Sequence, residues 1–269
     1  MRKRWISLVL CLCMIVSVGI PAMAAEATEE EYAMVAVTLD GVEATDFSAW
    51  LRNGTSYLPF EDAVRLFRPQ AEITHNGSLY TAQAEDIYMT ARAGDVCLAI
   101  NGRDLYVAGG LPERASDGMA LIPARILAKA MGAEVTWTGK VEFTSGTGPL
   151  FSVDRPYSDE DLDLISRVIM HESGYESLLG KMAVGNVILN RVANSQFPNS
   201  ISEVIYQKNQ FPGATNATPN EESILAARLV LEGANVVPDA YFFNGVGLAC
   251  WASRNKQLLY TIGGHAFYG

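Results

Sequence analysis

The chain has 269 residues, with 30 Asp and Glu against 20 Lys and Arg, 49% hydrophobic residues and four Cys. That apolar content over that length supports two ordinary domains with buried cores and excludes a disordered chain. A net charge of -10 with no basic block beyond the extreme N-terminus argues against a nucleic-acid partner, because phosphate binding needs a concentrated basic surface.

Residues 1–24 read as a signal peptide. Arg2, Lys3 and Arg4 precede an apolar run from Trp5 to Ile20, and Ala22, Met23 and Ala24 form a small-x-small cleavage site. Cleavage after Ala24 predicts an exported protein. It removes Cys11 and Cys13 and leaves Cys97 and Cys250, too few for a disulfide framework and expected to be small buried hydrophobes. Residues 25–33 are expected to be an acidic leader.

From Met34 the pattern becomes that of short strands. Val35, Val37 and Leu39 alternate with smaller residues before Asp40-Gly41, a hairpin signature that returns around Asn101-Gly102. Gly54 stands five residues before Pro59, and Gly118 five before Pro123; each Pro leads into a short helical stretch, 61–67 and 125–131. Two related units are therefore expected, the second closing on Ala133 to Trp137. With these motifs, and with Met131-Gly132-Ala133-x-Val135-x-Trp137, residues 34–144 resemble the copper amine oxidase N-terminal-like domain. No copper site is expected despite that name, since His75 is the only His in this half. The module is expected to position the chain or to contact a protein partner or the wall.

The Gly- and Pro-containing stretch from Thr144 to Pro149 suggests a boundary, with 145–157 as linker. Ser158 and Asp161 then form a capping box, and Leu162, Ile165 and Ile169 follow at helical spacing. The next position of that stripe is Glu172, with Glu176 four residues on. A carboxyl partly withdrawn from water and near a second carboxyl resists ionisation and becomes able to donate a proton near neutrality. The competing reading is a helix-end Glu that turns to solvent after Ser173-Gly174.

An apolar helix over 180–192 carries polar Asn190 and Arg191 near its end, and further helix starts are expected at Ser200 and Asn220. Leu259 to Tyr268 reads as a hairpin on Gly263-Gly264. The spacing Glu172-(x3)-Glu176-(x3)-Gly180, the run Val187-Ile188-Leu189-Asn190-Arg191-Val192, and then Phe197-Pro198-Asn199, Gln210-Phe211 and Gly263-Gly264-His265 closely resemble the SleB/CwlJ cell-wall hydrolase family over 158–269. Ser173-Gly174-Tyr175 departs from the Ala-Arg-Gly common in the spore enzymes of that family.

The resemblance implies a peptidoglycan-cleaving domain, with a lysozyme-like or lytic-transglycosylase-like helical core around one catalytic Glu, by position Glu172, and no cofactor or metal. Glu176, Asn190, Tyr206, Gln210, Phe211, Asn244 and His265 are the candidate sugar-contacting residues; Glu176 alternatively assists a water. His171 adjoins Glu172 but points about 100° away on a helix, which disfavours joint metal ligation. The fold class expected is α+β: a β-rich module of two related units, then a mainly helical catalytic domain with a small terminal hairpin. Lytic transglycosylase action on the bond between N-acetylmuramic acid and N-acetylglucosamine is the leading expectation. An N-acetylmuramoyl-L-alanine amidase and a non-catalytic wall-binding module are the alternatives.

Overall fold

The computed structural model describes residues 32–269, so the expected signal peptide and most of the expected acidic leader lie outside the described residues. The strands of the first half are β1 Ala33–Val35, β2 Val37–Leu39, β3 Val42–Glu43, β4 Ala49–Arg52 and β5 Thr55–Pro59, followed by helix α1 Phe60–Phe67. Then come β6 Glu72–Asn76, β7 Leu79–Gln83, β8 Tyr88–Arg92, β9 Cys97–Ile100, β10 Arg103–Tyr106 and β11 Leu121–Pro123. Helix α2 Ala124–Ala130, β12 Glu134–Trp137 and β13 Val141–Thr144 complete this half.

Three sheets result: β1-β4-β5-β11, the meander β10-β9-β8-β7-β6, and β12-β13-β2-β3. The two related units meet in the first of these. Strands β5 and β11 pair antiparallel, Leu121 opposite Pro59 and Pro123 opposite Tyr57, so the two strand-to-helix corners face each other. Pro59 and Pro123 cap α1 and α2, where a missing N–H costs nothing. The β13–β2 pairing is parallel and joins the last strand of the half to one of its first. Asp40 and Asn101 both have positive φ before a positive-φ Gly, the backbone of tight hairpins.

The second half is mainly helical: α3 Asp159–Ser173, α4 Leu178–Ala193, α5 Ile201–Tyr206, α6 Glu221–Leu231 and the short α7 Trp251–Asn255. A small sheet, β14-β16-β15, is built from β14 Phe242–Gly245, β15 Leu258–Ile262 and β16 His265–Tyr268. The expected α+β class, with a β-rich first half and a helical second half, is what is observed. Helix α4 is the central element, buried continuously from Gly180 to Ile188 because α3 and α6 cover it from two sides. Among the described residues no helix is long and apolar enough to cross a membrane.

Each half has its own apolar core. The stretch 145–157 lies along the first half: Leu150 packs on that core, its N–H donates to Ala130 O (3.0 Å), and its carbonyl accepts from Asn101 Nδ2 (2.9 Å). Among the described residues, Cys97 and Cys250 are neither paired nor fully buried. Burial pushes the Cys97 thiol up to about 12, as expected of an inert Cys. Cys250 departs from expectation: its Sγ caps α7 by accepting Ser253 N–H, which lowers its pKa.

Candidate active site

Helix α3 begins on the capping box read in the sequence, with Ser158 Oγ accepting Asp161 N–H (3.1 Å) and Asp161 accepting Ser158 N–H (3.0 Å). From there Ile165, Val168 and Ile169 are buried, and Glu172 arrives in the last turn with its side chain 24% exposed. Partial burial raises its carboxyl above the ordinary value, while the imidazoles of His171 and His265 pull it down. His171 Nε2 lies 4.0 Å from Glu172 Oε1, and its own side chain is 43% exposed.

Glu176 sits in the turn between α3 and α4. Its carboxylate crosses to the β15–β16 turn, where Gly264 N–H donates to it at 3.1 Å to Oε1 and 3.2 Å to Oε2. His265 Nδ1 stands 3.7 Å from Glu176 Oε1, and the imidazole lies edge-on to Phe243 at 5.6 Å between ring centres. Glu172, Glu176 and His265 therefore come together from the end of one helix, a turn and a hairpin.

The other candidates are placed differently. Asn190 Nδ2 donates to Val237 O and Ala240 O (2.9 Å each), and its oxygen accepts from Asn235, so it ties down the segment after α6. Asn244 Nδ2 holds Leu248 O at 2.8 Å. Phe211 is 6% exposed and stacks on Phe243 at 6.5 Å, a core ring. Gln210 is exposed but its carbonyl accepts Arg191 Nη1 (2.8 Å), and Tyr206 is a 64% exposed ring.

Two buried cations organise this half without having been singled out as functional in the sequence. Lys181, 1% exposed, donates to the Glu176 carbonyl (2.6 Å) and pairs with Glu222. Arg191 donates to Tyr241 O (2.7 Å) and lies over the rings of Phe197, Phe211 and Phe242, with burial lowering its pKa to about 10. Both stand inside apolar helical runs, where the chain pattern alone carries no sign of their partners. Among the described residues no group of three or more His, Cys, Asp or Glu gathers as a metal-ligand set.

Residues 175–268 match the family model described as Cell Wall Hydrolase, and residues 38–145 match the Copper amine oxidase N-terminal domain. Glu172 lies just before the first of these ranges. Similar curated proteins include the spore cortex-lytic enzyme of Bacillus cereus, 34% identical over 122 residues covering 43% of this chain and 47% of that protein. That of Oceanobacillus iheyensis is 30% identical over 132 residues, 47% of each. The chain thus spans about half the length of the curated relatives it matches. Among solved structures, the catalytic domain of the Bacillus cereus SleB protein is similar at 30% identity, covering 42% of this chain and 92% of that one, with a TM-score of 0.40.

Proposed function

We propose that this chain, whose second half carries a Cell Wall Hydrolase domain, cleaves the glycan strands of peptidoglycan with Glu172 as general acid. The observation that carries this reading is the half-buried carboxyl at the end of α3, which burial holds above its ordinary pKa, the direction that suits a proton donor. The spore cortex-lytic enzymes among its relatives support a wall glycan, and a spore envelope, as its setting.

In the proposed mechanism Glu172 protonates the oxygen between N-acetylmuramic acid and N-acetylglucosamine as the C–O bond breaks and an oxocarbenium-like centre develops. The ionised Glu172 then takes the proton of the muramyl 6-hydroxyl as that oxygen attacks C1. The product is a 1,6-anhydro end, and the chemistry uses one carboxyl. That Glu176 is engaged on the hairpin favours this route over one in which it activates a water, since both its oxygens face Gly264 N–H.

The test is mass spectrometry of the fragments released from purified cortex and vegetative peptidoglycan by the protein and by its Glu172→Gln variant. Anhydro-muropeptides from the wild type, and a rate lower by about 10²–10⁴ in the variant, are expected. Reducing ends would replace the transglycosylase with a hydrolase. Released stem peptides would make the protein an amidase instead, and wall binding with no release would make it a binding module.

A further inference from the structure

Glu176 is more tightly accommodated than a turn acid needs to be. Its N–H donates to Ser173 O (2.9 Å), and its carbonyl accepts the buried Lys181. Its carboxylate fits among three glycines. A Cβ at Gly263 would stand 1.9 Å from Oε2, one at Gly264 2.8 Å from Oε1, and one at Gly180 2.9 Å from the Glu176 Cβ. Gly263 also has φ +56°, so the turn and the acid fit together only with glycine at that point. Beyond the carboxylate, His265 Nδ1 is buried and has no hydrogen-bond partner, its nearest charged neighbour being Glu176 Oε1 at 3.7 Å.

We propose that Glu176 is a positioning residue: its carboxylate latches the β15–β16 turn onto the α3–α4 turn and so holds the His265 imidazole beside Glu172. The inference rests on the reading of Glu172 as the acid. It assigns Glu176 to neither sugar contact nor water activation. The charged groups that act on Glu172 are His171 on its own helix and His265 on β16; the Glu176 carboxylate faces Gly264 and His265, and Lys181 on α4 is turned to the Glu176 carbonyl and to Glu222. The two imidazoles oppose the effect of burial on Glu172. Releasing the hairpin withdraws one of them, leaving the carboxyl protonated to higher pH.

The experiment compares kcat/KM against pH on purified peptidoglycan for the full protein and its Glu176→Ala, Glu176→Gln, His265→Gln and Glu176→Ala/His265→Gln variants. Hydrogen exchange of the Gly264 amide is followed in parallel by NMR. Glu176→Ala is expected to lose about tenfold to a hundredfold in kcat/KM, to move the alkaline limb to higher pH as His265→Gln does, and to speed Gly264 exchange. The double variant is expected to move the limb no further than either single change. Glu176→Gln, which keeps an oxygen for Gly264 N–H, restores most of the rate and the protection. An unmoved alkaline limb in Glu176→Ala would reduce Glu176 to a structural role, and Glu176→Gln as inactive as Glu172→Gln would make it a reacting group; either overturns the proposal. Rapid Gly264 exchange in the wild type overturns it as well. A wild type that releases no glycan fragments defeats the reading of Glu172 instead, and the exchange comparison still decides whether the latch exists.

Discussion

At the scale of single residues, the proposed chemistry depends on a carboxyl kept in an unfavourable place. Burial makes ionisation of Glu172 costly in the folded chain relative to the unfolded one, so its folded pKa is raised. The stability this group contributes is full below the unfolded value near 4.5 and is lost as the pH rises through the folded value. Glu172→Gln is therefore expected to melt at a higher temperature than the wild type at pH 7. Below pH 4.5 the two should converge, because the wild-type carboxyl is then protonated in both states. Thermal unfolding followed by circular dichroism at the two pH values checks this, and an equal or lower melting temperature at pH 7 would contradict it. Gain of stability with loss of activity is what a strained functional group produces. Arg191 illustrates the other kind of buried charge: with no carboxylate beside it, its hydrogen bonds go to a backbone carbonyl and an amide, and three rings surround it.

At the scale of elements, the start of α3 is remote from the end that carries Glu172, and the two are separable by mutation. Ser158→Ala removes an N-cap acceptor and breaks the reciprocal box with Asp161. A loss of about 1 kcal/mol is expected, or roughly 2–4 °C in a domain of this size, with kcat/KM at low temperature unchanged. A proportional fall in kcat/KM would mean that the cap also sets the position of Glu172. The caps were legible because they are local: Ser158, Ser200 and Asn220 each accept the N–H three residues on, as their sequence context indicates. The hairpin on Gly263-Gly264 was legible for the same reason. The partner of that turn was not legible, since Glu176 lies 88 positions away.

At the scale of the whole molecule, residues 32–269 form one compact unit. Its halves are joined by an ion pair in which Arg103 on β10 grips Glu232 after α6, Nη2 to Oε2 at 2.6 Å, both side chains under 5% exposed. Lys129 on α2 donates to the Glu232 carbonyl, Arg103 Nη1 to Phe151 O (3.1 Å), and Arg228 pairs with Asp104 at 3.5 Å. Cys97 and Tyr106 of the β-rich half pack on the helical core. Arg103→Met would leave a buried carboxylate unpaired, so a loss of about 3–5 kcal/mol is expected. Arg103→Met/Glu232→Leu should recover most of it. Denaturant titration of the two variants measures the difference, and equal losses would mean that the pair contributes only through packing. The β-rich half is thus fastened to the helical half by desolvated charge.

What the sequence by itself determined is whatever depends on near neighbours and on period. The strand-helix units around Pro59 and Pro123, the helix starts, the closing turn and the placement of Glu172 on the apolar stripe of α3 all follow from spacing within a few turns of chain. Only the tertiary structure decided which polar groups face one another across long separations. It turned Asn190 and Asn244 to loop carbonyls, buried Phe211, brought His265 and Glu176 to the end of α3, and closed Arg103 on Glu232. The physical reason is that an apolar stripe declares its direction through periodic burial. A hydrogen bond or ion pair between distant residues leaves no periodic trace, and its partner is chosen only when the packed elements bring the two groups within reach.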